Sequence, residues 1–160
     1  MIEYSPLSLL KELRKFGWKE ESWFLPLASA IEGVTAAEAA WRPDGHTNSI
    51  WQILNHLNYY NERVLEQLQG KEPAPQSITN TETFGPPGDP ADRKGWEETL
   101  RRTRQIAQGI EEALEKFYGK DLEKEGFLEK LAAWIMHDTY HTGQIVLLRK
   151  MRGTWPAQRE

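Results

Sequence analysis

The sequence contains no cysteine. This absence excludes disulfide bonds, thiolate metal ligands and a cysteine nucleophile, so any thiol chemistry needs a thiol from outside the chain. Basic side chains are also few: 20 lysines and arginines stand against 24 acidic residues, which gives a formal net charge of −4. A chain with this charge lacks the basic surface that nucleic-acid binding requires. We therefore expect no nucleic-acid partner.

Long apolar runs are missing as well. The N-terminal stretch MIEYSPLSLL has neither the basic start nor the apolar centre of a signal peptide. No stretch of the sequence is long and uncharged enough to predict a membrane span. We expect a soluble, cytoplasmic protein without a membrane partner.

The hydrophobic pattern is helical along almost the whole chain. Ser5 and Pro6 are typical of a helix start, with a capping serine before a proline at the first helical position. Gly17 and Pro26 lie within the first apolar stripe and predict a kink or break in it. The stripe comprises Leu7, Leu10, Leu13, Trp23, Leu27 and Ile31.

A second long helix is predicted from Ser49 to Gly70, because Ser49 and Gln52 form a capping-box pattern and glycine commonly ends a helix. Residues 71–91 follow as a long crossover loop, since the prolines within it prevent regular structure. These prolines are Pro73, Pro75, Pro86, Pro87 and Pro90.

Two further helices follow the loop. The third is predicted from about residue 91 to Tyr118, and the fourth from Phe127 to Gly153. Four helices without a strand pattern predict an all-α protein, a four-helix bundle with a long crossover loop between helices 2 and 3. A chain of 160 residues is most simply one such domain, covering residues 1–160.

The fourth helix carries a strip of polar side chains in an apolar segment that is predicted to be buried on most of its faces. His137 and His141 lie four residues apart, and with Gln144 they fall within about 60° on the helix surface. Polar rings are costly to bury without partners. A hydrogen bond to a carbonyl or an acid would supply a partner, and so would a metal ion. The pair alone leaves both interpretations open.

A third histidine favours the metal. His56 lies on the second helix, about 120° from the centre of its apolar stripe, which predicts a position on a seam between core and surface. Facing helices of a bundle can build interior metal sites, and neutral imidazoles suit zinc, nickel, iron or copper. The remaining histidine, His46, lies in a loop with glycine and asparagine and is expected at the surface.

The sequence resembles the DinB-like superfamily of bacterial four-helix bundles, whose relatives include the YfiT-type proteins. The resemblance rests on WRPDGHTNSIWQILNHLNYYNE at 41–62 and HDTYHTGQIVLLRK at 137–150. It implies one DinB-like domain in which His56, His137 and His141 bind a divalent metal. Some members of this family resemble transferases that use bacillithiol or related thiols, one type resembles an isomerase, and many have no assigned activity.

A site of three neutral histidines leaves at least one metal position open, which is typical of catalytic sites. A bound water would become a hydroxide for hydrolysis, and a bound thiol would become a thiolate. The zinc-hydrolase pattern H-E-x-x-H is incomplete, because Asp138 replaces the glutamate and points about 100° away from His137. We expect Asp138 to pair with an arginine or to orient a ligand, not to act as the base. Tyr60, Tyr140 and Gln144 are candidate donors to the site.

These features predict a metal-dependent transferase that moves a low-molecular-weight thiol, of the bacillithiol type, onto a small electrophile. The expected metal is zinc or nickel, with iron as a further candidate. A metal-dependent hydrolase and a non-catalytic bundle with a structural metal are the alternatives. A homodimer formed through tryptophan-rich faces is left open.

Overall fold

The computed structural model describes residues 5–117 and 126–155, and within them it contains helices and no strands. Four long helices pack as a bundle, with two short helices between the first and the second of them. The all-α prediction is confirmed. The helices are α1 (Pro6–Trp18), α2 (Leu27–Ala30), α3 (Ala36–Ala39), α4 (Ile50–Leu68), α5 (Arg93–Glu115) and α6 (Phe127–Arg152).

The first apolar stripe is broken as predicted. The Ser5 side chain accepts a hydrogen bond from the backbone of the first turn of α1, Pro6 is the first helical residue, and the helix ends at Trp18. Helical structure resumes only after Pro26. Because the chain leaves the helix between these points, Trp23 loses its place in the stripe and is 97% exposed, which corrects its assignment to an inward-facing stripe.

The capping box of the second long helix is present. The Ser49 hydroxyl accepts a hydrogen bond from the backbone N–H of Gln52, and the Gln52 side chain accepts one from the backbone N–H of Ser49. Two N–H groups that have no partner inside the helix are thereby satisfied. The start of α4, six residues before His56, is fixed by these local bonds.

α4 and α5 run parallel, although they are consecutive long helices. Near their starts the Trp51 indole donates a hydrogen bond to Thr99, and near their ends Leu65 packs onto Gly109, where an added Cβ would lie 2.9 Å from a leucine methyl group. For α5 to run parallel to α4, the chain must return from the end of α4 to the level of its start. Residues 69–92 make that return, and a short 3-10 helix within them, Glu82–Phe84, contacts α4.

The later helix ends lie close to their predicted positions. α5 is helical from Arg93 to Glu115, and the predicted end at Tyr118 lies outside the described residues. α6 begins at Phe127 and is closed by Gly153, whose φ of 78° is the left-handed conformation common at helix C-termini.

The prediction that α6 is buried on most of its faces is wrong. The inner face is buried, whereas the outer face leaves four large apolar side chains more than half exposed: Met136, Tyr140, Leu147 and Met151. Hydrophobicity does not distinguish a face that packs inside its own chain from one that does not. None of the described helices combines the length and hydropathy needed to span a membrane.

Candidate metal centre

Three histidines from α4 and α6 meet at one point. His56 Nε2 lies 2.9 Å from His137 Nε2, and the ring centroids of His56 and His141 are 4.7 Å apart. One ring nitrogen of each residue lies within 4.8 Å of the other two. The three histidines singled out in the sequence therefore share one site. His46 is not part of this group and is exposed on the loop before α4.

The connection between α4 and α5 closes over His56. A 3-10 helix at Glu82–Phe84 stacks the Phe84 ring on the imidazole, with 4.0 Å between the centroids, and brings Thr83 Oγ1 within 2.6 Å of Nδ1. His56 is consequently only 2% exposed. The predicted seam position is wrong, because the helical rotation describes α4 alone and the loop buries that seam.

Hydrogen bonds determine which nitrogen of His56 faces the site. The Thr83 hydroxyl donates its proton to the carbonyl of Asn80 at 2.5 Å, so its oxygen is left to accept a bond from His56 Nδ1–H. With the proton on Nδ1, the lone pair is on Nε2, which faces His137. Metal-bound histidines are usually oriented by such a bond to the other ring nitrogen.

His141 is held in the same way. Its Nδ1 lies 2.7 Å from Gln144 Oε1, and because an amide oxygen only accepts, Nδ1 carries the proton and Nε2 is free. Gln144, considered from the sequence as a donor to the site, therefore acts as an acceptor that orients a ring. The Tyr140 ring packs edge-on against His141 with 5.0 Å between centroids, and its outer edge is exposed.

His137 forms the solvent-facing side of the site. Its side chain is 33% exposed, and its Nδ1 lies 3.8 Å from Asp138 Oδ1. The Tyr60 ring borders it at 5.7 Å between centroids, while the Tyr60 hydroxyl donates to Asn80 Oδ1 at 3.0 Å. Tyr60 thus forms part of the wall at the mouth, and its hydroxyl is already engaged with the loop.

Asp138 is fully buried and ties the site to α1. Its Oδ2 accepts hydrogen bonds from Arg14 at 3.2 Å and from Asn61 at 3.0 Å, and Asn61 in turn accepts one from the Trp134 indole at 2.5 Å. The expected pairing of Asp138 with an arginine is confirmed. The other carboxylate oxygen, Oδ1, has no hydrogen-bond partner among the described residues, and it is the oxygen nearer to His137.

The surroundings keep the buried imidazoles neutral. Burial, followed by the proximity of His141 and His137, lowers the pKa of His56 from 6.5 to about 4. Burial is also the main cause of a lowered pKa at His141, against which the hydrogen bond to Gln144 acts. A neutral imidazole retains the lone pair that a metal needs.

The metal-free protein is expected to lose stability as the pH falls from about 6.5 to about 4. His56 has a lower pKa when folded than when unfolded, so in this window the unfolded chain takes up a proton that the folded chain refuses. Its neighbours across the site, His137 and His141, bring no compensating negative charge. Urea unfolding of chelator-treated protein across this range checks the result. The free energy of unfolding of a His56→Gln variant should depend less steeply on pH. An equal slope in the wild type and in this variant would show that His56 does not cause the loss of stability.

The arrangement fits a divalent transition metal. Zinc binds histidine nitrogens at about 2.0–2.1 Å in tetrahedral geometry, which separates two ligand nitrogens by about 3.3 Å. The 2.9 Å between His56 and His137 needs to open by only a few tenths of an ångström. Nitrogen lone pairs that converge this closely repel each other unless a cation or a proton lies between them.

Sequence reasoning missed the groups that hold the histidines. Thr83 is 27 residues from His56, and Arg14 is 124 residues from Asp138. Such partners leave no spacing signal, because tertiary packing alone brings them together. Asp138 is recognisable in the sequence as a single charge within an apolar segment. Arg14 and Asn61 donate the hydrogen bonds that stabilise this buried charge.

Comparisons with known proteins place the chain. Neither the search of curated proteins nor the search of solved structures finds a significant match. The family model described as the DinB superfamily matches residues 26–145, a range that includes all three clustered histidines. The chain belongs to the DinB superfamily.

Proposed function

We propose that this protein is a metal-dependent enzyme that transfers a low-molecular-weight thiol onto a small electrophile. The observation that carries the proposal is the hydrogen bonding of the histidines. His56 Nδ1–H donates a hydrogen bond to Thr83 and His141 Nδ1–H donates one to Gln144, which leaves Nε2 of both rings free to bind a metal beside His137.

The histidine group would leave at least one position of a bound metal open to a substrate. The metal-ligand group among the described residues is three histidines, whereas structural zinc sites are closed by four protein ligands. The partly exposed His137 and the aromatic rings of Tyr60 and Tyr140 border the open side. This supports a catalytic over a structural metal, with zinc or nickel as the metal and iron as a further candidate.

His56, His137 and His141 would hold the divalent metal, which would supply a Lewis acid that favours deprotonation of an incoming thiol. The thiol proton would pass to water, and the sulfur would form a bond to the electrophilic carbon. With a chloro compound the carbon–chlorine bond would break and release chloride; with an epoxide the carbon–oxygen bond would open and the oxygen would take up a proton from water. The chain supplies no thiol of its own, because it has no cysteine. The rings of Tyr60 and Tyr140 at the mouth suit an apolar electrophile.

Hydrolysis is the less favoured reaction. A metal-dependent hydrolase of the H-E-x-x-H type needs a carboxylate base beside the metal-bound water. Asp138 occupies that sequence position, but it is fully buried and its Oδ2 accepts hydrogen bonds from Arg14 and Asn61. Its other oxygen, Oδ1, has no hydrogen-bond partner among the described residues and lies 3.8 Å from Nδ1 of His137, the ring that borders the site.

Metal-loaded protein is expected to accelerate the reaction of at least one low-molecular-weight thiol with a chloro or epoxide electrophile by at least 10-fold. His137→Ala should remove the acceleration, because the thiol would lose its bound metal, and His46→Ala should retain it. Product formation measured for a panel of thiols, bacillithiol included, checks this. If wild type and His137→Ala give equal rates with every thiol, the transferase proposal is wrong. If the electrophile is cleaved equally fast without thiol, the protein is a hydrolase.

A further inference from the structure

Exposed apolar side chains are concentrated on one side of the bundle. Among the described residues, nine large hydrophobic side chains are at least 36% exposed. One of them, Ile78, lies in the connection between α4 and α5. The other eight are on α1, on the loop after it, and on α6: Leu9, Leu13, Trp23, Phe24, Met136, Tyr140, Leu147 and Met151.

These eight side chains lie on neighbouring elements, and the surface that they share is called here the α1/α6 surface. Gly17 of α1 lies against Thr139 of α6, where an added Cβ would be 3.9 Å from the threonine hydroxyl. Leu13 and Leu9 precede Gly17 by four and eight residues, so they lie on the same stripe of α1, beside α6. Trp23 and Phe24 line a cleft of about 240 Å³ together with residues of α6.

The surface is free of charge along the centre of α6. From Ala133 to Leu147, the exposed residues of the helix are alanine, methionine, tyrosine, glycine and leucine. Lys130 and Lys150 stand at its two ends. An uncharged strip of this length on the outside of a helix is typical of a protein–protein interface.

The spacing along α6 matches a two-fold axis. Met136 and Met151 lie equally far from the midpoint between Gly143 and Gln144, and so do Tyr140 and Leu147. Two copies of this helix, packed antiparallel and crossing at Gly143, would place Tyr140 of each on Leu147 of the other. Self-complementarity of this kind is what an isologous dimer requires.

We propose that the α1/α6 surface is a homodimer interface in which α6 packs antiparallel on α6 of a second copy, crossing at Gly143. Open space surrounds the position that a Cβ of Gly143 would occupy, so the two backbones can approach there. Eight large side chains, each exposing on the order of 100 Å², offer roughly 800 Å² per protomer, the share of each partner in a standard interface.

The interface borders the histidine site. Tyr140 packs one edge of its ring on His141, and Gln144, beside the crossing point, accepts the His141 hydrogen bond. Dimerisation would therefore place Leu147 of the second copy against Tyr140 and complete the wall at the mouth of each site. The dimer itself needs no metal, so its test is independent of the proposed function.

Sedimentation equilibrium of the full chain at 1–100 μM is expected to give a dimer of twice the 18.5 kDa chain mass. Leu147→Glu places a charge in the apolar centre and should weaken the dimer at least 100-fold. Ile78→Glu, a matched change at the exposed site away from this surface, should leave it intact. A wild-type protein that remains monomeric up to 100 μM would overturn the proposal, as would a dimer unaffected by Leu147→Glu.

Disulfide trapping tests the orientation, and the natural chain adds no background because it has no cysteine. A mixture of Tyr140→Cys and Leu147→Cys chains should form a mixed disulfide on mild oxidation, identified by mass spectrometry of the linked peptides. Ile78→Cys should remain monomeric under the same conditions. Linkage of Leu147→Cys chains to each other in preference to the mixed pair would contradict antiparallel packing.

Discussion

A His56→Ala variant is expected to bind a divalent transition metal at least 100-fold more weakly than the wild type. His56 supplies one of three converging nitrogens, and loss of a group that merely orients a metal ligand already costs 10- to 100-fold. Titration of chelator-treated protein with zinc or nickel against a competing indicator measures the change. The fold should persist, because the hydrophobic clusters on both sides of the site are unaltered.

Two companion variants make this result specific. His46→Ala removes a histidine that lies outside the cluster and should bind metal like the wild type. Thr83→Val keeps the shape of the loop but removes the acceptor for His56 Nδ1, and a 10- to 100-fold loss is expected. If His56→Ala retains wild-type affinity while remaining helical, the three histidines do not form the metal site.

An Asp138→Ala variant is expected to lower the free energy of unfolding by about 3–5 kcal/mol. The substitution leaves the Arg14 guanidinium buried without its anion and removes the acceptor for Asn61. Burial lowers the pKa of Arg14, and the attraction of Asp138 opposes this more than that of Glu111 does, so Asp138 is the main compensating charge. Urea unfolding at pH 7, followed by circular dichroism, measures the change.

An exposed ion pair provides the matched control. Glu62 pairs with Arg102 across α4 and α5 at the surface, and Glu62→Ala should cost less than about 1 kcal/mol. Replacing both buried partners, as in Arg14→Met with Asp138→Leu, should restore part of the stability that Asp138→Ala loses. Equal, small effects of Asp138→Ala and Glu62→Ala would show that the buried network is not a major source of stability.

Local signals in the sequence predicted most of the helix boundaries. The cap at Ser5 and the capping box of Ser49 and Gln52 are both formed by residues within one turn of each other, so they need no tertiary information. The common face of His137 and His141 follows from the helical repeat in the same way. These features were predictable because the physics that produces them is short-ranged.

Features that depend on distant segments were not predictable from the pattern. The burial of His56 requires Phe84 and Thr83, which reach it through a connection whose path is set by the parallel packing of α4 on α5. The outer face of α6 is as apolar as its inner face, so the sequence did not indicate that Met136 and Leu147 would be exposed. A hydrophobic pattern indicates that a helix face is apolar, but it does not indicate whether that face packs against the same chain.

Asp138 connects three helices beside the histidine site. Asp138 holds α1 through Arg14 and α4 through Asn61, and its remaining oxygen lies beside His137. The helices that carry the histidines are therefore held together by a network that exists without the metal. We expect such a site to bind metal into a folded bundle, unlike small zinc domains that fold only when the metal binds.

Metal analysis of the protein purified without a histidine tag tests the central claim most directly. After growth with added zinc, nickel or iron, the wild type should carry about one equivalent of a divalent transition metal per chain, and His137→Ala should carry much less than one. Circular dichroism should show both proteins to be helical. A wild-type protein that contains no stoichiometric metal under any of these conditions, or a His137→Ala protein that contains as much as the wild type, would contradict the account.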